Sequence, residues 1–99
     1  MRTGTLRRML DAATTERVRR VLAERPGPLG VVLDVGFTNG LASARALRDA
    51  GAPVVVVDHR PGALGFKSRG VAPVLAPDPA VDEEGFIEAL RALAGVADR

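Results

Sequence analysis

The chain has 99 residues, which is room for one domain with a modest core. It contains no Cys and a single His, His59, which excludes a disulfide framework, a thiolate metal site, a Cys nucleophile and a His-based metal centre. The net charge of +2 is unevenly spread: residues 1–25 carry seven Arg against Asp11, Glu16 and Glu24, while residues 26–99 carry seven basic and nine acidic groups.

Leu6, Met9, Leu10 and Ala13 stand at i, i+3, i+4 and i+7, and Val18, Val21 and Leu22 repeat the spacing. This predicts an amphipathic helix with an Arg-rich outer face. The two stripes do not align on one cylinder, because Arg17 falls where the first requires an apolar residue. A break is therefore expected near Thr14 or Thr15, either of which can cap a second helix. Pro26, Gly27 and Pro28 end the helical segment. Residues 1–28 thus read as an Arg-rich helical extension and residues 29–99 as the domain proper.

Val31 to Val35 predicts a first strand, with Asp34 its one polar residue. The turn "GFTNG" follows, with Thr38 or Asn39 as cap of a helix that runs to Ala50 and stops at Gly51 in the left-handed C′ position. Val54 to Val57 are four consecutive β-branched residues, the pattern of a strand buried on both faces of a parallel sheet. The loop after Asp58 holds one helical turn near Ala63 and Leu64, and "VAPVLAP" is a short third strand that Pro73 assigns to an edge. Asp82 caps a last helix, Glu83 and Glu84 suit its N-terminus, Phe86, Ile87, Leu90 and Leu93 form its buried stripe, and Gly95 is its expected stop. The fold class predicted is α/β. Its core is a three-stranded parallel Rossmann-like sheet in the order 3-2-1, with flanking helices and an extra N-terminal amphipathic helix.

A strand that feeds a turn and then a helix aims backbone N–H groups and the positive helix end at one spot, which favours a phosphate or a carboxylate. Gly36, Phe37, Thr38, Asn39 and Gly40 are therefore the candidate ligand-binding residues. The spacing is G-x-x-x-G rather than a dinucleotide fingerprint, and a plain β–α turn is the structural alternative. Asp58 lies where a dinucleotide-binding domain places its ribose-binding carboxylate; the alternative is a polar residue that ends a buried strand at the rim. Asp34 and Asn39 belong to the same rim, and Asp34 is expected to accept N–H groups of the turn. His59 reads as a rim residue, since no Ser or Cys is placed to form a triad with it. The acidic run Asp82–Glu84 is explained by helix capping. No catalytic residue and no metal ligand is assigned. The Arg-rich helix lacks Lys, Trp and bulky apolar anchors, so it reads as a solvated face and neither nucleic acid nor membrane is expected as partner. No apolar run approaches the ~20 residues that cross a bilayer, and a cytoplasmic protein is expected.

Val31 to about Leu93 resembles the N-terminal, Rossmann-like pre-ATP-grasp domain of ATP-grasp ligases, in particular the carboxylate–amine ligase branch that includes D-aspartate ligase-like enzymes. The resemblance rests on "GFTNGLASARALRDAGAPVVVVD", "RPGALGFKSRGVAPVLAPDP" and the acidic opening of "DEEGFIEAL". Its most specific piece is Ala63 to Arg69, within a Pro-x-x-hydrophobic-x-x-x-Ser-Arg stretch between strands two and three. Residues 1–30 are not covered. The family implies ATP- and Mg²⁺-dependent activation of a small carboxylate as an acyl phosphate, followed by attack of an amine. It places the ATP and Mg²⁺ sites in later domains, so this chain is expected to bind neither by itself. It also implies a fourth strand after the last helix. The chain is then expected to be a fragment or a separately encoded piece that joins an ATP-grasp portion, or self-associates, through strand 31–35. The loop Gly36–Gly40 is implied to face the ligase cleft and hold the acid substrate. The alternative is a stand-alone nucleotide- or NAD(P)-binding module, supported by Asp58.

Overall fold

Alternation of apolar residues along the strands decides which helix covers which face. In the computed structural model, which describes residues 10–33 and 38–98, helix α1 (Ala12–Glu24) precedes strand β1 (Gly30–Leu33) and helix α2 (Thr38–Asp49). Strand β2 (Val54–Asp58), a 3-10 turn (Leu64–Lys67), strand β3 (Val71–Leu75) and helix α3 (Glu83–Ala97) follow. The strands are parallel and β2 lies between β1 and β3. Val32 stands opposite Val56, and Val56 opposite Pro73. This is the parallel α/β sheet with flanking helices that the residue pattern predicts.

Val55 and Val57 point to one face, where they pack with Val18, Val21 and Leu22 of α1, Ala72 and Val74 of β3, and Ala89 and Leu93 of α3. Val54 and Val56 point to the other face and pack with Val32, Ala44 of α2 and Ala63. The four valines are 0–1 % exposed, so β2 is enclosed on both sides as expected. Helix α1 belongs to this core, because its buried stripe lies against β3 and α3.

The second apolar stripe of the N-terminal segment is the buried one, and the helix that carries it is capped by Asp11, whose carboxylate accepts the Thr14 N–H at 2.7 Å. The cap expected at Thr14 or Thr15 is thus displaced, and the helix runs unbroken through both. Asp11 wins because its carboxylate reaches the amide three residues on, which fills an otherwise orphaned donor. Ala13 is exposed, Leu10 packs against the core, and Leu6 and Met9 lie outside the described residues.

Helix α2 includes Thr38, so the cap expected at Thr38 or Asn39 falls inside its first turn. Its other end is as read from sequence. Gly51 has φ +94°, its N–H donates to Arg48 O, and the Ala52 N–H donates to Leu47 O. These are the paired bonds of a Schellman ending, which requires the left-handed conformation that glycine tolerates.

Helix α3 does not stop at Gly95 but continues to Ala97. Glycine costs about 1 kcal/mol relative to alanine in a helix. Val96 and Ala97 pack against the core beyond it, which offsets that cost. At the other end Asp82 is the cap, accepting the Gly85 N–H at 2.9 Å. The carboxylate lies so close over Gly85 that a Cβ there would collide with it. Helix capping therefore accounts for the acidic run.

Candidate functional site

In a parallel sheet the carboxyl ends of the strands form the rim where ligands bind. Strand β1 ends at Leu33 on this rim, and α2 begins at Thr38. Asp34, Gly36 and Phe37 lie outside the described residues, and of Thr38 and Asn39 only the backbone is described. Gly40 is half-buried within the first turn of α2. It belongs to the helix rather than to the turn before it, so its freedom of φ is not called on there.

The end of β2 is better defined. Asp58 is 4 % exposed overall and its side chain is fully enclosed. Arg60 forks onto it: Nε donates to Oδ1 at 2.8 Å and Nη2 to Oδ2 at 2.9 Å. The Arg60 backbone N–H also donates to Oδ1, at 2.9 Å. A buried carboxylate is costly unless its charge and lone pairs are met, and the two-pronged guanidinium meets both. The Asp58 carbonyl accepts the Ala76 N–H at 3.0 Å, which carries the β2–β3 pairing past the end of the sheet.

His59 is turned outward between two carboxylates. Its Nδ1 is 3.6 Å from Asp58 Oδ1 and its Nε2 is 3.6 Å from Asp78 Oδ2. These separations are too long for hydrogen bonds. Asp78 is itself tied into its loop: Oδ1 accepts the Ala80 N–H, and its carbonyl accepts the N–H groups of Val81 and Asp82. The Ala76 N–H bond to the Asp58 carbonyl ties the end of the central strand to the loop that enters α3, and His59 lies between Asp58 and Asp78 beside it.

Asp58 therefore sits where sequence reasoning expects the ribose carboxylate, but with both oxygens engaged. A ribose could reach it only by displacing Arg60. Arg60 itself is the residue that sequence reasoning passed over. Its signal was the Asp-x-Arg spacing, which puts a guanidinium within reach of a strand-ending carboxylate.

Two further arginines fix the opposite end of the sheet. Arg25 Nη1 donates to the carbonyls of Arg48 and Ala52, at 2.7 and 3.3 Å, and Arg48 Nη1 donates to the Arg69 carbonyl at 2.9 Å. Cations at the carbonyl ends of helices are favourable, and these tie α1, α2 and the chain entering β3 together. Arg17, Arg19 and Arg20 stand exposed on the outer face of α1. Among the described residues no group of three or more His, Asp or Glu side chains is placed to hold a metal ion. No helix among them is long and apolar enough to cross a membrane.

The chain matches no protein-family model, no curated protein and no solved structure. The class its fold defines is that of a small α/β protein with a three-stranded parallel sheet and helices on both faces.

Proposed function

We propose that this chain is the substrate-side, non-catalytic N-terminal domain of an ATP-dependent carboxylate–amine ligase of the ATP-grasp type. It works in the cytoplasm with an ATP-grasp portion as its partner. The observation that supports this most is the conformation of Ala63–Arg69, the stretch that carries the resemblance. It forms the 3-10 turn between β2 and β3, with Ala63 and Gly65 buried and Ala63 packed beside Ala44 of α2. Among the described residues this connection holds no α-helix. The small carboxylate substrate meets the chain at Gly36–Gly40, drawn by backbone N–H groups and the positive end of α2. ATP and Mg²⁺ belong to the partner portion, which activates that carboxylate. This chain holds and orients it.

Nitrogen-15 NMR of the isolated chain, titrated with small amino acids and dicarboxylates, with ATP–Mg²⁺ and with NAD⁺, tests the assignment. The expected result is that a carboxylate shifts the amides of Gly36–Gly40, with no ATP hydrolysis. Shifts confined to Asp58–Arg60 on adding a nucleotide would move the assignment to a nucleotide- or NAD(P)-binding module. No shift with any carboxylate would remove the substrate-side role.

A further inference from the structure

The two edges of the sheet differ in a way the function above does not use. The Gly30 N–H donates to Pro53 O at 2.8 Å, so Gly30 faces β2. Successive residues of a strand turn their polar groups to opposite sides. Val32 therefore also faces β2, and Val31 and Leu33 direct their N–H and C=O outward, where among the described residues no strand meets them. The same two residues leave their side chains 43 % and 45 % exposed. They stand in register with Val55 and Val57, which are fully covered by the layer that holds α1 and α3. That layer stops one strand short of β1, because α1 lies over β3.

The opposite edge is protected. The Ala76 N–H donates to Asp58 O, so residues of the same parity in β3 face β2, and Pro73 falls on the outward row. It deletes a donor from the middle of that edge, a common device against edge-to-edge pairing. The β1 edge, "GVVL", has neither proline nor charge.

We propose that β1 pairs with β1 of a second copy of this chain, antiparallel about a two-fold axis perpendicular to the sheet, to form one continuous six-stranded sheet. Such an axis keeps like faces together, so Val31 and Leu33 of both copies merge into one apolar strip between the two α1–α3 layers. The contact is isologous: the same patch serves on both sides, and an uncharged patch meets its copy without repulsion. Four residues a side is far below the roughly 20–30 of a standard interface. The dimer is therefore weak and concentration-dependent, with a dissociation constant on the order of 0.1–1 mM. The inference rests on the sheet alone, and an ATP-grasp portion that paired with β1 would compete with the second copy for this edge.

Sedimentation equilibrium of the full chain, from about 10 µM to about 1 mM, tests it across the range where weak interfaces dissociate. The expected result is a dimer fraction that rises with concentration and disappears in Leu33→Lys. Hydrogen exchange on the unaltered chain is the second measurement, and it stands even if that variant fails to fold. The Val31 and Leu33 amides should slow with rising concentration while the Val32 amide does not change. A monomer up to about 1 mM, a dimer that Leu33→Lys leaves intact, or exchange at Val31 and Leu33 independent of concentration would each overturn the proposal.

Discussion

Strands β1 and β2 are neighbours of almost the same composition, "GVVL" beside "VVVVD", yet their environments differ sharply. Every residue of β2 is buried. In β1 only Val32 is, and Val31 and Leu33 remain nearly half exposed. The valines of β2 gain cover from both faces and hydrogen-bond partners on both sides. Among the described residues those of β1 have α2 on one face, less cover on the other, and one pairing partner. A fully buried Val contributes on the order of 1.5–3 kcal/mol, so the same residue type stabilises the fold about twice as much in β2 as one strand away. The difference teaches that burial in this sheet is set by where the helices come to rest, since side-chain chemistry is nearly constant across the two strands.

Exchanging charge for a valine in each strand tests that contrast most strongly. Val54→Asp places a carboxylate where the side chain has no exposure, among Val32, Ala44, Val56 and Ala63. An unpaired buried carboxylate costs several kcal/mol, against a total of ~5–15 kcal/mol for a small domain. Circular dichroism should show little or no cooperative melting. Val31→Asp should keep the fold and lose only about 1 kcal/mol, because its carboxylate can stay hydrated. Equal losses in the two strands would break the comparison.

The end of β2 sharpens it in a second way. Among the described residues Asp58 is the one polar residue that is buried, and Arg60 is what makes it tolerable. Removing one member of a buried pair leaves the other uncompensated, at roughly 3–5 kcal/mol when both are enclosed. Arg60 is about a third exposed, so Arg60→Ala should cost less, about 2 kcal/mol. Urea denaturation measures this, and Asp58→Asn in the Arg60→Ala background should recover part of the loss. No recovery would mean that burial of the charge is not the cause.

The smallest effect belongs to the periphery of the layer that leaves β1 bare. Asp11 is fully exposed, and its carboxyl is held below its ordinary value of 3.8, first by the Thr14 backbone N–H and then by the Thr14 side chain. A depressed carboxylate stabilises the fold above its unfolded value, and that contribution is lost as pH falls through the folded value. Melting temperatures of the wild type and Asp11→Ala should therefore differ modestly at pH 6 and converge as pH falls below 3.8. A gap that persists undiminished at low pH would show that the carboxylate charge is not what the cap uses.

Much of the fold was legible where one residue type had one physical use. Gly51 could only end a helix, Asp82 could only begin one, and Val54–Val57 could only be a strand covered on both faces. The Asp58 carboxylate was visible as a strand end, but its occupation by Arg60 was not, because a carboxylate at that position has the same local spacing whether it meets a ribose or a guanidinium. Asp11 and Gly95 were misjudged for a related reason. Both competed with nearby residues, the threonines in one case and the packing of Val96 and Ala97 in the other, whose strength local pattern does not report.

By itself the sequence determined the order of elements, the parallel sheet and the central place of its valine strand. These follow from hydrophobic period, β-branching and turn chemistry, all of which act within a few residues along the chain. The tertiary structure alone decided three things: α1 settles over β3 rather than β1, Arg25 reaches the end of α2, and Arg60 closes on Asp58. Each depends on distances between elements, and those are set only when the two cores pack against the sheet.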